Sequence, residues 1–437
     1  MRITVIGCGY LGSTHAAAMA DLGHDVLGME IDPDKRAALT RGQVPIYEPL
    51  LDDLLARSVE SGRLRFTDSY AEVAAFGELH FVCVGTPQQA ESLAADISQV
   101  ENAFSGLAPH LDRPTLVVGK STVPVGTAVR MSARLAELAP AGTDALLAWN
   151  PEFLREGFAV EDTLHPDRIV IGVQDGRAEK QLRDFYAPMV DAGTPIVVTD
   201  YATAELVKVA ANAFLATKIS FINAMAEVCE ATGADVVDLA DSIGYDARIG
   251  RRFLNAGIGF GGGCLPKDIR AFVHRAGELG VEDTMTFLRH IDDVNQRQRE
   301  RVVDIATAMV GGRLAGARIA VWGAAFKPDS DDVRDSPALW IAGQLHLKGA
   351  QVRVYDPRAT ETAGARFPTL TYAGSAIEAC QDADLVLHLT EWPEFRRITP
   401  ADLQDVVSRP RLFDGRNVLD LDTWRSAGWT ARALGRR

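Results

Sequence analysis

Cysteine is scarce, with five in 437 residues and none in a Cys-x-x-Cys pair. That fits neither a disulfide framework nor a zinc site, so no metal is expected and at most one or two thiols carry chemistry. Positive charge is also short: 45 Lys and Arg stand against 59 Asp and Glu, a formal net charge of −14. Such a surface repels phosphate backbones and anionic bilayers. It argues against nucleic acid and membrane as partners, yet leaves room for a small anion in a local basic pocket. A long uninterrupted apolar run is missing too. The most apolar stretch, Leu206 to Ala226, contains Lys208, Asn212, Lys218 and Asn223 and does not read as a membrane span. The apolar residues at the N-terminus give way to glycine too early for a signal peptide. A soluble, cytoplasmic protein is expected.

What is present is the balance of a globular enzyme, 47% hydrophobic and 24% charged. The length suits roughly three domains and buries a core without staples. Residues 2–6 form a short β-branched run ending at Gly7, the pattern of a buried strand. An Ala-rich helix through Leu22 follows, then a second strand over 25–30. Apolar runs at 79–84, 115–118, 145–148 and 168–173 alternate with helical stretches, which predicts a parallel, doubly wound sheet closing near residue 198. From about 202 to 231 runs one long Ala-rich helix, apolar around most of its circumference. It is a spine between domains or a subunit interface. More helix reaches about residue 310, interrupted by the loop 257–263. A second βα pattern opens at Arg318 and repeats the strand-helix-strand order without spaced glycines, as a nucleotide-type domain with a different ligand would. The expected fold class is α/β: two Rossmann-like domains, 1–198 and 313–437, joined by a helical segment 199–312.

Gly7-Cys8-Gly9-Tyr10-Leu11-Gly12 has G-x-G-x-x-G spacing between a predicted strand and a helix. The first glycine permits the tight turn and the second lets backbone approach a pyrophosphate. The third lets helix pack on strand, and the helix N-terminus adds a positive dipole end. Glu30 closes the second strand, where a carboxylate accepts from ribose hydroxyls and repels a 2′-phosphate, so NAD is favoured over NADP. A plain glycine turn is the competing reading. Cys8, Cys83, Cys229 and Cys380 read as small buried hydrophobes. Cys264 differs. It follows five glycines within residues 257–263 and precedes Leu265-Pro266-Lys267-Asp268, an accessible thiol with a cation and a base close by in sequence. The bland alternative is a glycine-rich turn with an incidental thiol.

Seven ordered segments extend this pattern along nearly the whole chain: 46–49, 81–87, 120–126, 150–157, 165–168, 208–212 and 259–268. With them the sequence resembles the UDP-glucose 6-dehydrogenase family, within the UDP-glucose/GDP-mannose dehydrogenases. The resemblance implies oxidation of the primary alcohol of UDP-glucose to the carboxylate of UDP-glucuronate, reducing two NAD⁺. It also implies a homodimer or larger homo-oligomer built on the long helix, with NAD on the first domain and UDP on the last. Cys264 matches the nucleophile that captures the aldehyde as a thiohemiacetal, then a thioester. Asp268 matches the residue assisting water or proton transfer, and Lys208 and Asn212 the pair that steadies oxygen at the reacting carbon. Their spacing puts both on one helix face, where each needs a buried partner; an ion-paired lysine of no catalytic role is the competing reading.

By the same resemblance Glu152 and Thr122 match water-positioning and acid/base residues. Gly7, Gly9, Tyr10, Leu11, Gly12, Glu30, Lys35, Thr86, Thr122, Glu156, Cys264 and Arg334 match cofactor contacts. Glu152, Phe153, Leu154, Arg155, Lys208, Asn212, Phe253, Leu254, Asn255, Ala256, Gly257, Gly261, Phe326 and Lys327 match substrate contacts, and Arg248 one reaching in from a neighbouring subunit. Read without the family, Glu152 and Glu156 are loop or cap residues and Arg248 belongs to a solvated basic cluster. Gly263 stands where serine commonly precedes the cysteine, Glu30 replaces the usual aspartate, and Leu50 a common glycine. GDP-mannose 6-dehydrogenases share the cysteine motif, but Tyr47 before Glu48-Pro49 and the run 165–172 lean toward UDP-glucose. UDP-N-acetylmannosamine dehydrogenases resemble the chain less. A non-catalytic NAD sensor would not need Cys264, Lys208, Asn212 and Asp268 together.

Overall fold

The computed structural model describes residues 1–44 and 46–436. The chain forms two compact units, Met1–Ala211 with Arg270–Leu279, and Asn212–Ile269 with Gly280–Arg437. The first unit is built on an eight-stranded sheet of β1 (Arg2–Ile6), β2 (Asp25–Met29), β3 (Leu64–Thr67), β4 (Leu79–Val82), β5 (Thr115–Gly119), β6 (Ala145–Trp149), β7 (Ile169–Val173) and β8 (Ile196–Thr199). Their spatial order is β3-β2-β1-β4-β5-β6-β7-β8. Alternate residues feed two cores. Ile3, Val5, Phe81, Leu116 and Val118 pack on one face, while Ile6, Val82, Val117 and Leu147 pack on the other. Burial on both faces is why these strands read as continuous apolar runs.

The expected all-parallel sheet needs one correction. β6 and β7 pair antiparallel, Ala148 opposite Val173 and Trp149 opposite Gly172. A parallel return needs a crossover, usually helical, of a dozen residues or more. The connection 150–168 is long enough for a crossover, but it holds only an irregular loop and one six-residue helix, Ala159–Leu164, and brings the chain back beside β6 in the opposite sense.

The second unit carries β9 (Arg318–Trp322), β10 (Gln351–Tyr355), β11 (Thr371–Tyr372), β12 (Leu385–His388), β13 (Arg411–Asp414) and β14 (Thr430–Ala433). The order β11-β10-β9-β12-β13-β14 repeats that of the first six strands of the first sheet, and every pair is parallel. Each sheet therefore has a switch point, β1/β4 and β9/β12, outside whose carboxyl ends ligands bind in this fold class.

The long helix spans Tyr201–Thr232 and contributes to both units. By length and composition alone it is apolar enough to cross a membrane. Its polar residues argue otherwise. Buried Glu205 accepts from the backbone N–H groups of Gly126 and Ala128 at 2.8 and 2.6 Å, capping the helix Thr127–Leu138. Ser220 and Asn223 are buried and bonded to Ile291 O and Gly257 N. A helix with internal polar partners at these points is an internal element of a folded protein.

Candidate active site

In the first unit the glycine loop turns directly from β1 into the helix Tyr10–Asp21. Gly7 has φ +87°, and a Cβ on Gly12 would lie 1.9 Å from Gly7 O, so both positions require glycine. Among the described residues, its chain neighbours aside, nothing lies within 4 Å of where a Cβ on Gly9 would stand. That opening faces a helix whose first turn carries no acidic side chain. Free N–H groups, a dipole end and open space make a cradle for a pyrophosphate. Glu30 is buried just past β2, with Oε1 accepting from Asp32 N–H at 3.0 Å. Its charge, after burial, helps push the Cys8 thiol up, which sets the carboxylate beside the loop. These residues fit a dinucleotide with unmodified ribose hydroxyls.

Other expected cofactor residues gather beyond the carboxyl ends of β4 and β5, where the Thr86 hydroxyl donates to Thr122 O at 2.8 Å. Lys35 pairs loosely with Asp32 at 3.9 Å in the open. Tyr10 donates its phenol to the buried Glu48, whose oxygens also accept from Gly157 and Ala159 N–H at 2.6 and 2.7 Å. Burial first, then Glu48 and the charge of Glu156, push the phenol far up. Glu48 thus ties the glycine loop to the backbone at Gly157 and Ala159, just past the Glu152–Glu156 segment. The residue sits in a recognised motif, yet no role was legible for it.

Glu152 lies in an irregular loop rather than at a helix start, because the Asn150 side chain is committed elsewhere. It joins Lys120 Nζ at 2.9 Å, Tyr186 Oη at 2.6 Å and Val170 O at 2.8 Å. Glu152 Oε1 is 3.0 Å from Lys208 Nζ, and its Oε2 accepts from Leu154 N–H at 2.7 Å. The Phe153 ring stacks 3.9 Å from the Arg168 guanidinium and 5.7 Å from Lys208 Nζ. Arg155 is drawn outward to Asp162, 2.6 Å away.

In the second unit Cys264 is the exposed thiol, and the other four cysteines are buried. It directly precedes the helix Leu265–Glu278, whose N–H groups favour negative charge at that end. One turn on, buried Asp268 accepts from Asn212 Nδ2 at 2.7 Å and from Lys267 Nζ at 2.6 Å. The buried partners expected for Lys208 and Asn212 are therefore carboxylates, Glu152 and Asp268. A Cβ on Gly263 would stand 2.3 Å from the Arg334 guanidinium carbon, so the missing side chain there makes room for an expected cofactor contact. Arg334 itself reaches Asp332 at 2.8 Å.

The expected substrate stretch 253–257 is held tightly. Phe253 has φ +65°, a strained value for a bulky residue. Asn417 donates to Ala256 O at 3.2 Å, and Asn223 accepts from Gly257 N–H at 2.8 Å. Phe326 packs where a Gly262 Cβ would be, with Lys327 Nζ 5.6 Å from its ring. Arg416 joins these pieces. It donates to Leu389 O, Gly259 O and Phe326 O and pairs with Glu391 at 3.2 Å. It is not among the expected site residues, and its one signal in the sequence is an Asp-Gly-Arg turn just past an apolar strand. Arg248 is exposed and bonded to Asp246 at 2.6 Å. Among the described residues its partner is Asp246, which is none of the expected site residues.

The second sheet handles its own cradle differently. Asp356, buried just past β10, accepts from Ala324 and Ala325 N–H at 2.8 and 3.0 Å. A carboxylate of the protein thus takes the backbone donors at the start of this loop, whereas Glu30 in the first unit accepts from Asp32 N–H. Among the described residues no His, Cys, Asp or Glu cluster could hold a metal.

Known proteins are similar to this chain along its whole length. Residues 1–190 match the NAD binding domain of the UDP-glucose/GDP-mannose dehydrogenase family, 202–297 its central domain and 320–421 its UDP binding domain. A UDP-glucose 6-dehydrogenase of Rhizobium meliloti is 43% identical over the full length of both chains. UDP-glucose 6-dehydrogenase YwqF of Bacillus subtilis is 41% identical over all of this chain and 98% of its own. The solved structure of a UDP-glucose dehydrogenase from the archaeon Pyrobaculum islandicum matches with a TM-score of 0.91 and 37% identity, covering 100% of this chain and 98% of that one. With full-length identity at this level and three matched domains in order, the chain belongs to the UDP-glucose/GDP-mannose dehydrogenase family.

Proposed function

We propose that this chain is an NAD-dependent UDP-glucose 6-dehydrogenase that converts UDP-glucose to UDP-glucuronate in two oxidations. The observation that carries the reading is Cys264, an exposed thiol between a glycine loop and a helix N-terminus, one turn before an Asp268 held by Asn212 and Lys267. Bound NAD⁺ supplies the hydride acceptor for each oxidation. Gly7, Gly9 and Gly12 with the helix at Tyr10 receive its pyrophosphate, and Glu30 its ribose. Thr86, Thr122, Lys35, Glu156 and Arg334 complete the contacts.

Cys264 Sγ adds to the C6 aldehyde left by the first hydride loss, giving a thiohemiacetal. Loss of a second hydride leaves a thioester, and water opens it to the carboxylate and the free thiol. Lys208 and Asn212 steady the C6 oxygen as charge develops, while Asp268, Glu152 and Thr122 hold water and move protons. The loop 253–257 with Gly261, Phe326 and Lys327 binds the UDP-sugar.

The protein is cytoplasmic, divides as 1–198, 199–312 and 313–437, and works as a homodimer through the long helix. Phe214, Phe221 and Val228 are 67%, 47% and 50% exposed on that helix at seven-residue intervals, an apolar stripe that a second copy covers. Arg248 then serves the neighbouring subunit's site. NADH absorbance with UDP-glucose, with GDP-mannose and without sugar tests the reading. Two NADH per UDP-glucose are expected, and turnover with GDP-mannose alone overturns it.

A further inference from the structure

The glycine loop before Cys264 has little structure of its own. Gly259 and Gly262 take φ +100° and +84°, and a segment this rich in glycine loses more conformational entropy on ordering than any other. Something outside the loop must hold it still.

That support comes from one face of the helix Thr286–Met309, where Asn295, Gln298 and Arg299 lie at i, i+3 and i+4. All three side chains are buried, Arg299 only 1% exposed. Asn295 Oδ1 accepts from Phe260 N–H at 2.7 Å, and its Nδ2 donates to Phe260 O at 3.0 Å. Gln298 Nε2 donates to Gly257 O at 3.0 Å. Arg299 donates to Phe260 O at 2.9 Å and to Asp335 Oδ1 at 2.8 Å. Asp335 in turn sits where a Cβ on Gly261 would be, its carbonyl 2.3 Å from that point. Gly262 N–H donates to Arg334 O at 2.9 Å. A Cβ on Gly259 would stand 2.6 Å from Asn295 Oδ1, so glycine there is the condition for the asparagine's approach.

Buried polar side chains spent on another segment's backbone are costly to place, the more so as Arg299 Nε finds no partner among the described residues. Three on one face, all aimed at the same loop, mark a positioning device. We propose that Asn295, Gln298 and Arg299 are positioning residues that pre-align Cys264 for capture of the aldehyde, and so couple the second oxidation to the first. The proposal rests on the covalent role of Cys264 given above. Capture competes with escape of the aldehyde, and a displacement of about 1 Å can cost on the order of 10² in rate.

Asn295→Asp and Gln298→Glu test this, since each keeps volume and turns a donor into an oxygen facing a carbonyl. Arg299→Lys keeps the charge and removes the fork. The readouts are NADH formed per UDP-glucose, trapped free aldehyde, and the rate of Cys264 alkylation by iodoacetamide without sugar, mapped by mass spectrometry. Expected are a KM for UDP-glucose within about threefold of wild type, a NADH yield falling from two toward one with aldehyde trapped, and alkylation altered by about fivefold or more. A purely structural role would lower all rates together and leave the yield at two, which overturns the proposal. So do folded variants with wild-type yield and wild-type alkylation. If one variant does not fold, the other two decide. Wild-type enzyme that makes no NADH from UDP-glucose would sink the functional reading instead, while the alkylation arm still tests the positioning.

Discussion

Lys208 Nζ and Glu152 Oε1 meet at 3.0 Å with 5% and 13% of their side chains exposed, a nearly dry ion pair that commits the proposed oxygen-steadying cation to a carboxylate. A pair this buried is weak evidence for stability, because desolvation offsets the attraction, but breaking it leaves a charge uncompensated. Lys208→Ala should lower kcat by roughly 10²–10³ while KM for UDP-glucose moves only a few fold. Glu152→Gln in the same chain should recover part of the stability lost, with a coupling of about 1–3 kcal/mol in urea unfolding. Additive effects would mean the two side chains act independently.

Glu30 makes a prediction about the cofactor. Its carboxylate lies beside the glycine loop, and one oxygen is already fixed by Asp32 N–H. A 2′-phosphate there would face a held negative charge. NADP⁺ should therefore give a kcat/KM lower than NAD⁺ by a factor of about 10² or more. Equal values for the two cofactors would remove Glu30 from the ribose site.

Much of this was legible because the chemistry is local. Gly7 to Gly12 and the run into Cys264 declare themselves by spacing, and the β-branched runs of β1, β4, β5 and β9 by burial on both faces. Direction was not legible: β7 reads as an apolar strand whichever way it runs. Nor were the short strands β3, β11, β13 and β14, since two to four residues carry little periodicity. The unread part of the site consists of distant partners. Asn295 meets Phe260 across 35 residues and Arg416 meets Gly259 across 157. Asn295 on its helix and Arg416 in its turn each look like an ordinary polar residue, and only the fold turns them toward the loop.

The first unit's core holds a pH dependence. His80 is fully buried, with Nδ1 on Thr4 Oγ1 at 2.8 Å and no partner for Nε2 among the described residues. Burial, then the Arg113 charge, pushes it down to about 3. Below its unfolded value of about 6.5 the unfolded chain binds this proton and the folded one does not. Stability is therefore full above about pH 6.5 and falls as pH drops toward 3, by up to about 1.4 kcal/mol per pH unit. His15, lowered by burial and by Lys120, acts in the same direction. His80→Gln should flatten the fall in urea midpoint between pH 7.5 and 5.0. An unchanged slope would show that His80 does not contribute.

The last prediction concerns the thiol. Burial holds Cys8 well above the usual thiol range and pushes Cys83 and Cys380 up to about 12. Cys229 is also buried, which leaves Cys264 as the accessible sulfur. Iodoacetamide near neutral pH should label Cys264 first, abolish activity in step with labelling, and be slowed by UDP-glucose. Cys264→Ser should still bind both ligands, because size is nearly unchanged and the loop is held from outside by Asn295 and Arg299. Its hydroxyl is far less ionised than a thiol, so capture should be slow and turnover very low. Any ester that forms hydrolyses less readily than a thioester, so sugar attached to the introduced serine should accumulate and be visible by mass. Cys264→Ala should stop after the first oxidation, with at most one NADH per sugar. An alanine variant that still yields two NADH at the wild-type rate would end the covalent mechanism for this chain, and label mapped to Cys83 or Cys380 as activity falls would move the nucleophile elsewhere.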